Sequence, residues 1–141
     1  MSHAFMELNW IAVIATAVIG FLFGWLWYSP LCFAKPWMKE MKLTDESMKE
    51  AAKQGMAKFF IQGFIYTVIS TMALAMLVRS HAPESPLKGA MYGAFLGALV
   101  VGARMCNASV WEMHSMKLNA IKVGHEIVLF AIQAAIFTVW H

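Results

Sequence analysis

Four long apolar runs, separated by shorter polar stretches, set the pattern of the chain. They cover residues 8–27, 59–78, 86–106 and 120–140. Each run holds about 20 residues, and an α-helix of that length rises ~30 Å, which matches the hydrocarbon core of a bilayer. The pattern therefore predicts an all-α fold, an integral membrane four-helix bundle.

A fifth, shorter helix is predicted between the first two runs, over residues 44–57. Thr44 is a good N-cap residue, and the acidic Asp45 and Glu46 that follow suit the first turn of a helix. The apolar side chains of this segment fall on one side: Met48, Ala52 and Met56. We expect an amphipathic helix at the cytoplasmic surface of the membrane.

Small residues recur at every fourth position of three runs. The clearest case is the third run, with Gly89, Gly93 and Gly97. Such a ridge lets another helix backbone approach closely, as in a glycine zipper, so we expect the bundle to pack on it. The ridges of the first and second runs include three more predicted packing glycines: Gly20, Gly24 and Gly63.

The composition agrees with a membrane protein of one transmembrane domain over residues 1–141. Of the 141 residues, 60% are hydrophobic and 13% charged, whereas soluble domains are about half apolar and a quarter charged. Four spans leave no room for a separate soluble domain. The two cysteines, Cys32 and Cys106, have no metal or redox spacing.

The placement of positive charge predicts the orientation of the spans. Most lysines and arginines fall on the side of the membrane that carries the first and third connections, whereas the other side has Arg79 and Lys88 alone. The residues on the first of these sides are Lys35, Lys39, Lys42, Lys49, Lys53, Lys58, Arg104, Lys117 and Lys122. The positive-inside rule then places both termini on the non-cytoplasmic side.

Two charged residues are predicted to lie at similar depth in neighbouring antiparallel spans. Arg104 follows Gly97 by seven residues, and Glu126 lies about two turns into the fourth run. Each charge alone costs ~3 kcal/mol near the bilayer centre, and pairing lowers that cost. We expect either a structural ion pair or the charged floor of a polar cavity. Lys122 competes as a partner of Glu126, and His125 is a candidate proton relay.

Polar residues on two spans could line such a cavity. Gln62, Tyr66 and Ser70 recur at four-residue spacing on the second run, and Gln133 follows Glu126 by seven residues. Because residues at these spacings share a helix face, the sequence predicts a polar cavity lining.

Known catalytic and metal motifs are not matched. His125-Glu126 begins like HExxH, but Leu129 stands where the second histidine is required. We therefore expect no enzyme activity, no cofactor and no metal. Two metal groupings stay open. One would gather Cys32, Cys106, Glu112 and His114, and the other is an amino-terminal copper or nickel site at His3 near His81 and His141. Acidic residues interrupt the lysines of the first connection, so nucleic acid is not an expected partner.

Short motifs near both ends of the chain resemble those of a bacterial membrane family, domain of unknown function 1761. They are Gly24, Trp25, Tyr28, Ser29, Pro30, Trp37 and Met38, and later Asn119, Gly124, His125 and Trp140. The resemblance implies a small four-helix protein of the bacterial inner membrane, with no established activity. Glu126 departs from the apolar or histidine residue expected at that position.

Two function hypotheses follow. The first is a structural or interaction protein that contacts membrane lipid and forms a homo-oligomer, or serves another membrane protein as an accessory subunit, because ridges left facing lipid can pair. The alternative is a small-solute or ion carrier with a cytoplasm-facing polar cavity. Its predicted lining is Gln62, Tyr66, Arg104 and Glu126. A water-filled pocket would favour the carrier, and a dry Arg104–Glu126 pair the structural role.

Overall fold

The computed structural model describes residues 7–140, and this part of the chain is helical without strands. The helices are α1 (Trp10–Trp27), α2 (Ala34–Glu40), α3 (Asp45–Lys53), α4 (Met56–His81), α5 (Pro86–Leu96), a π-helical segment (Gly97–Gly102), α6 (Ala103–Trp111) and α7 (Met116–Val139). Four helices are long and apolar enough to span a membrane: α1, α4, the continuous helix Pro86–Trp111, and α7. The predicted all-α architecture with four membrane-length helices is confirmed.

Local signals explain most helix ends. The Thr44 hydroxyl accepts a hydrogen bond from the Ser47 N–H at 3.1 Å, so the predicted cap is present. The Ser115 hydroxyl caps α7 in the same way, which starts that helix four residues before the predicted position. Helix α2 was not predicted. It tolerates Pro36 because that residue lies in the first turn, where backbone N–H groups have no partner within the helix.

The third span packs chiefly on α7 and makes a smaller contact with α4, while α7 also contacts α1 and α4. Gly89, Gly93 and Gly97 are buried. A Cβ added to Gly93 would lie 2.7 Å from the Cβ of Ala134 and closer still to a backbone carbonyl of α7. The predicted close approach of backbones is therefore present. The expectation that the whole bundle packs on this ridge is wrong, because α7 is the central helix.

A polar contact joins three helices in the middle of the bundle. The side-chain amide of Gln133 on α7 donates to the Thr71 hydroxyl on α4 at 2.9 Å and lies 3.4 Å from the Thr16 carbonyl oxygen on α1. All three residues are at most 1% exposed. Gln133 therefore belongs to a buried helix contact, and its predicted place in a cavity lining is wrong.

The ridges of α1 and α4 meet over only part of their length. Gly20 and Thr71 are buried, whereas Gly24 and Gly63 are only partly buried. The Phe21 ring fills the space beside Gly63, 3.7 Å from the position of an added Cβ. Helices α1 and α4 therefore separate toward the end of the bundle that carries α2 and α3. Gly63 packs on a ring and not on a backbone, contrary to the prediction.

Candidate functional site

The separation of α1 and α4 leaves a groove of about 830 Å³. Helix α7 forms its inner wall, and side chains of α2 and α3 reach its end. Its apolar lining includes Phe21, Trp25, Trp37, Met48, Met56, Phe59, Phe60 and Leu129, and its polar lining includes Tyr28, Tyr66, Thr67, Ser70, His125 and Glu126. Pockets of about 300–1,000 Å³ with apolar walls and a few polar groups are typical ligand sites.

Aromatic side chains surround His125 at the inner wall of the groove. Its ring stacks on Phe23 with centroids 5.5 Å apart and an interplanar angle of 16°. Trp27 and Tyr28 lie at centroid distances of 6.0 and 5.4 Å. The indole N–H of Trp27 donates to the Ile121 carbonyl at 3.2 Å, which holds the end of α1 against α7. These contacts fix the imidazole, which is 9% exposed.

The orientation of the His125 ring is set by its neighbour in sequence. Nδ1 lies 2.9 Å from Oε1 of Glu126, and with the proton on Nδ1 the ring donates to this oxygen. Nε2 is buried without a hydrogen-bond partner in the described chain, and a Cβ on Gly24 would lie 3.3 Å from it. Within the described chain, the polar contact of the imidazole is therefore made at Nδ1, with Glu126.

Glu126 places a carboxyl group in the groove wall. Its side chain is 22% exposed, and it is the one acidic group among the described lining residues, which include no lysine or arginine. Tyr28 lies just beyond the end of α1, where burial first, and then the Glu126 carboxylate, raise its pKa to about 12. Its phenol therefore stays protonated at neutral pH and can act as a hydrogen-bond donor.

Arg104 does not pair with Glu126. It is exposed, and no ion pair of Arg104 or Lys122 is found in residues 7–140. The reason lies in the π-helical segment, whose wider turn shifts the following residues around the helix axis. Buried positions after Gly97 fall at Gly102 and Ser109, so Arg104 leaves the packing face. The prediction that Arg104 or Lys122 pairs with Glu126 is therefore wrong.

The predicted cavity residues separate into two groups. Tyr66, Ser70 and Glu126 line the groove, but its walls are mainly apolar, unlike the polar cavity that was predicted. Gln62 is exposed outside it, so its predicted place in the lining is wrong. Sequence reasoning missed Tyr28, because an aromatic residue at the end of a span is equally typical of the membrane interface.

The alternative metal groupings are not assembled in the described chain. Cys32 is exposed, and no group of three potential metal ligands is present among residues 7–140. His114 lies 3.1 Å from Glu112, and the His81 ring stacks on Tyr92 at 4.1 Å. The proposed ligands His3 and His141 lie outside the described residues.

Comparison with known proteins identifies one family. Its model, described as a protein of unknown function (DUF1761), matches residues 11–138 and so covers all four membrane-length helices and the groove. No curated protein matches the chain, and no solved structure matches it either.

Proposed function

The chain belongs to the DUF1761 family of proteins of unknown function, and we propose that it is a membrane carrier that binds a small amphiphilic molecule in the groove between α1, α4 and α7. One observation carries the proposal. A groove of about 830 Å³ with apolar and aromatic walls contains an ionisable pair, His125 and Glu126. A polar pair within such walls suits a ligand with an apolar body and one polar group.

The free-energy cost of placing the Glu126 side chain in a membrane-spanning helix supports a functional role for this residue. An ionisable side chain inside a membrane-spanning helix is expensive, and such residues commonly mark a substrate or proton path. Glu126 contacts His125, and no ion pair of Glu126 with a lysine or arginine is found in the described chain. A register-fixing ion pair would join two helices, whereas His125 and Glu126 are neighbours on α7. The absence of a lysine or arginine among the described groove residues leaves ligand binding as the stronger explanation.

The proposed location is the bacterial inner membrane, with both termini on the non-cytoplasmic side. The lysine-rich connection that includes α2 and α3 lies at the groove end of the bundle. The positive-inside rule assigns that connection to the cytoplasm. We therefore propose that the groove opens toward the cytoplasm and the adjacent lipid.

Homo-oligomer formation and an accessory role are less well supported. That hypothesis depended on small-residue ridges that face lipid and could pair with another chain. Within one chain, however, Gly89, Gly93 and Gly97 pack on α7, and Gly20 packs beside Gln133. Gly63 packs on the Phe21 ring, and Gly24 and Thr67 line the groove. The partial exposure of Gly24 and Thr67 fits a ligand site without a second copy.

Co-purification tests the proposed function. Wild-type protein extracted from membranes is compared by small-molecule mass spectrometry with Thr67→Trp, which fills the groove, and with Ile69→Trp as a matched control. Ile69 lies on the same helix, is 52% exposed and does not line the groove. We expect a molecule enriched with wild type and Ile69→Trp and lost from Thr67→Trp. Identical extracts from all three folded proteins would overturn the proposal.

A further inference from the structure

We infer that the groove takes a lipophilic cation, a molecule with an apolar or aromatic body and a single positive charge. The inference rests on the proposed function and names its ligand class. Its basis is the composition of the lining, in which Glu126 is the one acidic group and no lysine or arginine is present among the described residues. The Glu126 carboxylate has His125 beside it at 2.9 Å, and a ligand cation would meet it without competition from a lysine or arginine.

The aromatic rings beside Glu126 suit the same charge. Tyr28 and Trp37 pack with ring centroids 5.3 Å apart, and both line the groove. The Tyr28 ring lies 5.4 Å from the His125 ring, whose Nδ1 contacts the Glu126 carboxylate at 2.9 Å. A cation within about 6 Å of such ring centroids is attracted to the ring faces. Carboxylate and rings therefore favour a positive group at one end of the groove.

The rest of the lining suits an apolar ligand body. Phe59, Phe60 and Trp25 contribute rings, and Met48 and Met56 contribute flexible side chains that adapt to different shapes. No lysine or arginine among the described lining residues could hold a phosphate, sulfate or carboxylate. An anion would also be repelled by Glu126. A metal ion is a poor fit, since residues 7–140 contain no group of three ligands.

Two sources of such a cation share this chemistry: a free organic cation and the ammonium group of a membrane lipid. The lipid also carries a phosphate, for which the described groove residues offer no basic partner. The free cation is therefore the better fit. In bilayers that contain phosphatidylethanolamine, a lipid occupant would compete with an added cation, and a free-cation site would show no such competition.

Two probes of the same shape and opposite charge test the inference. Binding of radiolabelled tetraphenylphosphonium and of tetraphenylborate is measured on the purified full chain by equilibrium dialysis. Wild type is compared with Glu126→Gln, which removes the charge at nearly constant volume, and with Glu126→Asp, which keeps it. We expect wild type and Glu126→Asp to prefer the cation by at least about tenfold in Kd, a difference of about 1.4 kcal/mol. Glu126→Gln should lose that preference while keeping a cooperative thermal transition.

The outcomes separate this inference from the proposed function. Equal binding of both ions, abolished by Thr67→Trp, would overturn the cation inference and leave an apolar ligand groove. A cation preference that survives Glu126→Gln would overturn the role of the carboxylate. Absence of binding by either ion would overturn the inference, and the co-purification result would then decide on the groove as a site.

Discussion

The carbonyl oxygen of Glu126 lies 2.8 Å from the position that a Cβ on Gly97 would occupy. The third span therefore packs against the backbone of Glu126, the residue whose carboxyl group lies in the groove wall. At this place the backbones of two helices touch because glycine has no side chain. Packing on one side of α7 and the groove on its other side are thus parts of one arrangement.

The first prediction concerns the glycine contact. Gly93→Ala places a methyl group against the Ala134 Cβ, which would lie 2.7 Å away, so we expect a loss of about 1–3 kcal/mol through overpacking. Gly63→Ala is the control, because its nearest neighbour is a ring atom at 3.7 Å. Alanine favours a helix over glycine by up to about 1 kcal/mol, so this variant should melt no lower than wild type. Equal melting temperatures in detergent for the two variants would refute the close contact.

The second prediction concerns the π-helical segment. Deletion of Leu99, which is 60% exposed, should remove the extra residue and restore α-helical pairing while Gly102 and Ser109 stay on the packing face. In an unbroken α-helix the same deletion would turn the later residues by about 100° and expose Ser109, which is 2% exposed. In a background without Cys32 and Cys106, Ser109→Cys should therefore stay protected from a soluble thiol reagent with or without the deletion, and Arg104→Cys should react readily in both. Exposure of Ser109→Cys by the deletion would show that the π-helical segment does not control the register.

The third prediction concerns the partner of Glu126. Because Arg104 is exposed and unpaired in the described chain, the stability losses of Glu126→Ala and Arg104→Ala should add to within about 0.5 kcal/mol. The cycle of Glu126→Ala with His125→Ala should show coupling of about 0.5–3 kcal/mol, because those side chains share a hydrogen bond at 2.9 Å. Coupling in the first cycle and none in the second would show that Glu126 interacts with Arg104 and not with His125.

The fourth prediction concerns the buried amide contact. Thr71→Val removes the hydroxyl that accepts from Gln133, and hydrogen bonds between membrane helices average about 0.6 kcal/mol. We expect a loss of that size or somewhat more, since the Gln133 amide would stay buried. Thr67→Val is the matched control, because the Thr67 hydroxyl donates within its own helix, to Gly63. Measured unfolding free energies that are equal for the two variants would argue against the contact.

The sequence predicted the features that depend on local pattern. Hydrophobic length gives the four spans, and four-residue spacing gives the close contact at Gly93 and Gly97. The cap at Thr44 follows from its side chain and position. These signals are visible because each involves residues near one another in the chain.

The candidate site depends on features that a local pattern does not contain. Arg104 was misplaced because seven-residue spacing assumes an unbroken α-helix, and the residues give no clear signal of a π-helical turn. The rings around His125 come from α1, about a hundred positions earlier in the chain, so their contact is decided by packing. At the groove, the Phe21 ring of α1 packs against Gly63 and Phe64 of α4, a relation between helices that periodicity cannot express.

The most direct test of an open, negatively charged groove is the reactivity of Ser70→Cys in lipid nanodiscs, in a background without Cys32 and Cys106. Ile69→Cys is the control, because Ile69 is exposed beside Ser70 but does not line the groove. A trimethylammonium thiosulfonate should label Ser70→Cys much faster than Ile69→Cys, and faster than a sulfonate reagent does. Glu126→Gln should remove that preference for positive charge. Labelling of Ser70→Cys as slow as that of Ile69→Cys, or unaffected by reagent charge, would contradict the account.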